Sequence, residues 1–186
     1  MDAVLQEPLM TLAVRVFLAL LLATAALSKL TRIEEFYGVV RNFRLLPDGV
    51  SRAVAMVLPV VELAVAVGLV IGPLAVPAAT AAAVLFAVFG VAIAINVLRG
   101  RTSIDCGCFR QGLKQGISWL LVGRNVVLTA LAAATAYLLP SVPAAGGPDI
   151  FVGIAAGVLA ILLYFSASLL GGIAAAQKST LSSKGR

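Results

Sequence analysis

The amino-acid sequence predicts an all-α fold, a polytopic bundle of about five transmembrane helices. Of the 186 residues, 61% are hydrophobic and 12% are charged, whereas a soluble domain carries about 25% charged residues. Apolar runs of about 20 residues, the length that crosses a bilayer, recur along the whole chain. Among the connections between these runs, only alternate ones contain Lys and Arg. The length allows a single integral membrane domain, residues 1–186.

The first apolar run, residues 10–27, has the core of a signal peptide but not its flanks. The segment before it, MDAVLQEP, is acidic instead of basic, and Lys29 and Arg32 follow as a stop-transfer flank. We therefore expect a retained membrane helix. The other spans are predicted at residues 53–71, 76–98, 118–139 and 150–173.

The connection between the first two spans has helical periodicity of its own. Its apolar residues fall at helical spacing, with charged residues on the other faces. These apolar residues are Ile33, Phe36, Tyr37, Val40 and Phe43. The pattern predicts an amphipathic helix against membrane lipid, ended by the turn residues at 47–49. An ordinary solvated connector is the alternative.

Basic residues predict the orientation of the spans. Lys and Arg occur within residues 28–52, 99–117 and the C-terminal tail, and are absent from the other connections. This alternation predicts a multi-pass protein of the inner (cytoplasmic) membrane with its N-terminus outside and its C-terminus in the cytoplasm. The formal net charge of +6 is explained by these basic residues of the connections and the C-terminal tail. Nucleic acid is not an expected partner, because no basic block is interleaved with aromatic residues.

Both cysteines of the chain lie in one of the basic connections, within RTSIDCGCFRQG. The chain has no histidine, so the commonest general base and metal ligand is missing. A disulfide between Cys106 and Cys108 would need a tight turn, for which Gly107 has the backbone freedom. So small a ring would be strained and easily reduced, which suits thiol–disulfide exchange. We therefore predict that Cys106 and Cys108 are the catalytic residues.

Charges around the pair bear on its reactivity. Arg101 and Arg110 favour the thiolate form, and Asp105 opposes them. No metal is expected, because a closed zinc site usually takes four Cys or His ligands. A metal site shared between chains of a homo-oligomer and two inert buried thiols remain alternatives.

Ionisable residues inside the predicted spans mark a second candidate site. Glu62 is expected near the bilayer centre, where a carboxylate needs a partner or a cavity. Arg124 is the preferred partner by depth, and Arg15 is the competing one. Asn125 and Asn96 would complete the polar network. Such a network suits a quinone pocket or a proton path, and a buried pair that fixes helix register is the alternative.

A small-residue pattern in the last span, GIAAG at residues 153–157, predicts a close helix contact. The pattern is common in membrane helices, so it is only weak support for a homo-oligomer.

Five segments together resemble a known family: LSKL, FRLLPDGV, LPVVELAVAVGLVIG, IDCGCF and ISWLLVGRNVVL. The set is similar to the MauE family of methylamine-utilisation membrane proteins, within the DoxX-like group, from about residue 15 to about residue 140. The spacing of Pro59 and Glu62 is shared across the wider group, whereas the DCGCF loop is more characteristic of MauE. The resemblance implies a four-helix core over residues 10–140, to which the last span is added.

The resemblance also implies a function. MauE proteins are implicated in maturation of the disulfide-rich small subunit of periplasmic methylamine dehydrogenase, beside a thioredoxin-like partner, and the family cysteines fall on Cys106 and Cys108. We expect a membrane thiol–disulfide oxidoreductase or electron relay. Its second electron partner lies outside the chain, a quinone being one candidate. Oxidative folding takes place outside the cytoplasm, whereas the charges put the cysteines inside.

Two other functions stay open at this point. One is a non-enzymatic scaffold that recruits a soluble redox enzyme through the basic face around Arg41 and Arg44. The other is a small-solute transporter built around Glu62.

Overall fold

The computed structural model describes the backbone of residues 7–101 and 116–184, with side chains as far as Leu170. The described chain is helical, and five of its helices are long and apolar enough to cross a membrane. The helices are α1 (Pro8–Leu30), α2 (Ile33–Phe43), α3 (Asp48–Val70), α4 (Ala75–Leu98), α5 (Trp119–Leu138) and α6 (Gly147–Lys184). The predicted all-α membrane bundle is confirmed.

The helices run beyond the spans that hydropathy marked. α3 begins at Asp48 instead of residue 53, and α6 continues to Lys184 instead of residue 173. Apolar runs mark only the membrane-embedded part, because polar residues continue a helix into the interface without breaking its hydrogen bonds. Short 3₁₀ turns, Gly72–Leu74 and Leu139–Ser141, precede α4 and follow α5.

The amphipathic helix is present as α2 and lies along the start of α3. Its Phe36 is buried, and its charged face pairs with α3 through Arg41–Asp48 at 3.2 Å and Arg52–Glu34 at 3.7 Å. The turn residues expected to end α2 instead begin α3. Pro47 is the N-cap of α3, and the carboxylate of Asp48 lies in the first helical turn, where the helix dipole favours an anion.

The hydrophobic core is built around α1, which packs against both α3 and α6. Leu18, Leu22 and Leu69 are fully or almost fully buried there, while small residues of α4, Ala79 and Ala82, let that helix approach closely. α4 and α5 form the second closely packed pair. Large apolar side chains such as Leu120, Phe151 and Val126 face outward, as expected of surfaces that meet lipid.

The GIAAG pattern makes the predicted close contact, and the contact is within the chain. A Cβ placed on Gly157 would lie 2.7 Å from Cβ of Val16 and 2.8 Å from the carbonyl oxygen of Ala13. At Gly153 the nearest atom, of Leu12, would be 3.0 Å away. The two glycines therefore let α6 press its backbone against α1.

Replacing Gly157 by Ala should destabilise the bundle by about 1–3 kcal/mol, because the added methyl overlaps backbone and a β-branched side chain. Unfolding of the purified protein in detergent would measure the loss. Gly123→Ala is the matched control, since nothing lies within 4 Å of a Cβ at that helical position. The control should leave stability unchanged or raise it by up to about 1 kcal/mol. Equal stability of the two variants would contradict the close α1–α6 contact.

Candidate functional site

A buried ion pair joins α1 to α3. Lys29 Nζ and Glu62 Oε1 form a salt bridge, and the two residues are only 3% and 0% exposed. Lys29 lies in the last turn of α1, whereas Glu62 lies beyond the middle of α3. The two helices run antiparallel, as the second contact between them shows: Arg15 reaches Leu69 and Val70. Side chains incline toward the N-terminus of their own helix, so these two incline toward each other.

Aromatic rings from two further helices enclose the lysine. The ring centroid of Phe36 in α2 lies 5.4 Å from Lys29 Nζ, and that of Phe89 in α4 lies 5.0 Å from it. Both distances allow cation–π attraction. A lysine at a helix end commonly extends toward the aqueous interface. Lys29 extends inward instead, so its ammonium ties together four elements: α1, α2, α3 and α4.

A small cavity of about 30 Å³ lies beside the ion pair. Its polar wall is formed by Lys29, Glu62, Arg124, Asn125 and Tyr164, and the remaining wall is apolar. The volume corresponds to about one water molecule. This space is smaller than a quinone ring, so the quinone pocket expected at Glu62 stays a prediction.

The structure brings together part of the predicted polar network. Glu62, Arg124 and Asn125 line the same cavity. Glu62 also forms a salt bridge with Lys29, which was not among the partners predicted for it. Lys29 was interpreted from the sequence only as a flank of the first span. Its position in the last helical turn was the missed signal, because a side chain there inclines back into the membrane.

The other two members of the predicted network lie elsewhere. Arg15 donates to the backbone carbonyls of Leu69 at 2.8 Å and Val70 at 3.2 Å. It therefore satisfies carbonyls of the last turn of α3, about 10 Å along the helix from Glu62, and the prediction that it competes for Glu62 is wrong. Asn96 donates to the Ala92 carbonyl at 3.1 Å and accepts from Arg101 at 3.4 Å.

The cysteine loop is anchored at both of its described ends. Cys106 and Cys108, with Asp105, Gly107 and Arg110, lie outside the described residues. On the near side, the backbone N–H of Arg101 donates to the Asn96 carbonyl at 3.0 Å. On the far side, Ile117 is buried against Ile93 and Leu121.

The anchor of the far end also involves the amphipathic helix. Phe43, the last residue of α2, packs against the cluster formed by Ile93, Ile117 and Leu121. Because Phe36 of the same helix contacts Lys29, α2 links the attachment of the cysteine loop to the ion pair.

A larger groove runs between α4 and α5, the two helices that the cysteine loop connects. Its volume is about 410 Å³, and it opens outward between Val91 and Val126, which are 59% and 60% exposed. The wall is apolar except for Asn125 and Thr129. Asn125 also lines the small cavity, so it separates the cavity from the groove. Gly90 gives Asn125 its space, since a Cβ there would lie 3.2 Å from Cβ of Asn125.

Comparison with known proteins adds the family context. Residues 7–139 match the family model described as methylamine utilisation protein MauE. The chain is 64% identical over 180 residues to the methylamine utilization protein MauE of Paracoccus denitrificans, which covers 97% of each chain. It is 66% identical over 186 residues to the methylamine utilization protein MauE of Paracoccus versutus, and the match covers 100% of both chains. It is 56% identical over 183 residues to the protein of the same name from Methylorubrum extorquens, and the match covers 98% of both chains. No solved structure matches the chain.

The ion pair predicts a characteristic double-mutant result. Lys29→Met should lower the free energy of unfolding by about 3–5 kcal/mol, because it removes the cation of a buried salt bridge and leaves the Glu62 carboxylate inside the bundle without that charge. The double variant Lys29→Met/Glu62→Leu should regain most of that loss. Unfolding in detergent measures all three proteins.

The control for this cycle is an exposed ion pair of the same chain. Arg32→Met removes the exposed ion pair with Glu35, in which the charged atoms are 3.5 Å apart, and should change stability by less than about 1 kcal/mol. If Lys29→Met were as mild as Arg32→Met, the ion pair would not hold the helices together.

Proposed function

The chain belongs to the MauE family, and on that premise we propose that it is a membrane thiol–disulfide oxidoreductase or electron relay acting through Cys106 and Cys108. The family match spans residues 7–139 and so includes the cysteine loop, which agrees with the resemblance found in the sequence. The relatives are named for methylamine utilisation. We therefore assign the proposed activity to the maturation of proteins of that process. The observation that carries the proposal is that the chain's only two cysteines lie one residue apart within the matched region.

The proposed chemistry is disulfide exchange with a thioredoxin-like protein. A thiolate of the reduced partner attacks one sulfur of a Cys106–Cys108 disulfide, forming a mixed disulfide and releasing the other cysteine as a thiolate. The partner's second thiolate then attacks its own sulfur in the mixed disulfide. The partner leaves oxidised, and Cys106 and Cys108 are left as two thiols that hold two electrons and two protons.

The described ends of the loop support this role by their attachment. The loop leaves α4 at Arg101 and returns next to the buried Ile117, so it starts and ends on one closely packed helix pair. Arg99 and Arg101 at its start favour the thiolate form of nearby cysteines. By the charge alternation we place the loop on the cytoplasmic side of the inner membrane, with the N-terminus outside.

The ion pair has a supporting role in this proposal. Through Lys29, Glu62 and the rings of Phe36 and Phe89, it fixes α1, α2, α3 and α4 relative to one another. A loop that must present two sulfurs to a partner protein needs such a rigid base.

The pair must be reoxidised by a second partner, because the chain has no second pair of cysteines. A quinone would accept the two electrons and two protons. We place its ring in the groove between α4 and α5 and not in the cavity at Glu62. The groove has a volume of about 410 Å³, within the range usual for small-molecule sites. It opens outward, and Val122 in its wall also packs against the cluster that contains Ile117, at the far end of the cysteine loop.

The exchange chemistry is tested with cysteine variants. Cys106→Ser and Cys108→Ser should each abolish turnover with a thioredoxin-like protein, because neither can form the internal disulfide. Mixed with the oxidised thioredoxin-like protein, one of the two variants should instead accumulate a mixed disulfide: its remaining thiolate attacks the partner's disulfide, and the second cysteine of this chain, which would displace the partner, is missing. Non-reducing gels and thiol titration measure both effects.

The same assay reports the side of the loop. Inverted membrane vesicles should exchange thiols with an added partner, and right-side-out spheroplasts should not.

Full activity of the Cys106→Ser/Cys108→Ser double variant in promoting protein maturation would refute the oxidoreductase and favour the scaffold.

The groove is tested by filling it. Val126→Trp should slow reoxidation of the cysteine pair by an added short-chain quinone at least about tenfold, which corresponds to about 1.4 kcal/mol, while leaving exchange with the thioredoxin-like protein unchanged. Val127→Trp is the matched control, because Val127 is 66% exposed on the same helix but does not line the groove. Equal reoxidation rates in the two variants would exclude the groove as the quinone site.

A further inference from the structure

We propose that the turn after α2 and the cleft beneath α2 form a binding site for one anionic phospholipid. The headgroup phosphate lies at the arginines of the turn, and an acyl chain enters the cleft. The site is independent of the cysteine chemistry.

The headgroup end is a polar cavity of about 520 Å³ at the end of α2. Arg41, Asn42, Arg44 and Asp48 supply its polar wall. Arg41 is paired with Asp48 at 3.2 Å, whereas Arg44 belongs to none of the ion pairs within the described residues. Arg99 adds a further cation, because its guanidinium donates to the Arg44 carbonyl at 3.5 Å. Two arginines and one carboxylate therefore line the cavity, and Arg99 lies beside it, so the region carries an excess of positive charge.

The backbone at Arg44 gives a second indication. Its φ of 49° and ψ of 41° are left-handed, and it is the one residue other than glycine with positive φ in the described chain. An L-residue in that conformation costs about 1–2 kcal/mol, and glycine or asparagine is the usual occupant of such a helix end. Strain that persists at a particular side chain suggests that the side chain has a use. Here that use is the guanidinium at the mouth of the cavity.

The acyl end is a cleft of about 270 Å³ enclosed by α2, α3 and α4. All of its lining side chains are apolar, among them Val40 from α2, Leu58 from α3 and Leu85 from α4. Leu45 and Leu46 line both this cleft and the polar cavity, so the two spaces adjoin.

The arrangement fits a phospholipid better than a simple anion or an apolar molecule. A basic cavity next to an apolar cleft, under an amphipathic helix, matches the boundary between headgroups and acyl chains. Inorganic phosphate would fill only the first space. A zwitterionic lipid brings a positive group with its phosphate, so the excess of arginine charge favours a lipid with a net negative headgroup.

The test uses the full-length protein in detergent, titrated with phosphatidylglycerol or phosphatidylcholine and followed by native mass spectrometry. We expect one tightly retained phosphatidylglycerol per chain and weaker retention of phosphatidylcholine. Arg44→Gly removes the guanidinium and also relieves the backbone, so it should fold at least as well as the wild type. It should nevertheless lower the affinity for phosphatidylglycerol about fivefold, the effect of losing one basic residue at the headgroup.

Two further variants separate the two ends of the site. Val40→Trp fills the cleft and should weaken retention of both lipids. Arg32→Gln removes an exposed arginine of the same region that lines neither space, and should retain lipid like the wild type. An unchanged preference for phosphatidylglycerol in Arg44→Gly would overturn the proposal. So would thermal stabilisation by inorganic phosphate equal to that by phosphatidylglycerol, which would indicate an anion site without a lipid chain.

Discussion

The arrangement of the helices depends on one buried ion pair, Lys29 with Glu62. Two opposite charges inside a membrane bundle are tolerated only when each satisfies the other, because an isolated charge there is very unfavourable. This requirement fixes the register of α1 against α3: a shift of one residue, about 1.5 Å, changes the reach of both side chains. Because the rings of Phe36 in α2 and Phe89 in α4 contact the Lys29 ammonium, the positions of these two helices also depend on the ion pair. This electrostatic contact therefore adds a specific register to four elements that also pack through apolar side chains.

The amphipathic helix α2 is where the separate features of the molecule meet. Its Phe36 contacts the ion pair, its Phe43 packs on the anchor of the cysteine loop, and its apolar face covers the cleft assigned to an acyl chain. One ion pair on its exposed side lies within α2 and its N-cap, and two join α2 to α3. Each is exposed to solvent and so contributes little to stability. The apolar contacts therefore hold α2 in place. A lipid in the cleft would add to those contacts, and so would stabilise the helix on which the loop anchor rests.

The sequence was sufficient for the features that depend on periodicity. The five spans and α2 follow from runs and faces of apolar residues, and the contact of Gly153 and Gly157 follows from their spacing. The ends of α3 and α6 lie beyond the predicted spans. Hydropathy marks the part of a helix that lies in lipid, whereas the helix itself ends where its backbone hydrogen bonds end. Lys29 was missed as a partner of Glu62 for a different reason. Depth judged from Cα positions passes over Lys29, because its side chain is directed back along its own helix toward a glutamate that inclines toward it.

The buried ion pair and the groove between α4 and α5 are separate sites in the bundle, and this separation affects where the proposed quinone reaction would take place. The ion pair is buried, while the groove between α4 and α5 opens outward, and Asn125 lines both the groove and the small cavity beside the ion pair. Its amide N–H₂ is used on the Leu121 carbonyl at 2.8 Å, which holds the side chain along its own helix. The carboxylate of Glu62 is therefore kept away from a molecule in the groove. In the proposed reaction a quinone in the groove would take two electrons and two protons from the cysteine pair by direct contact, outside the charged interior on which the fold depends.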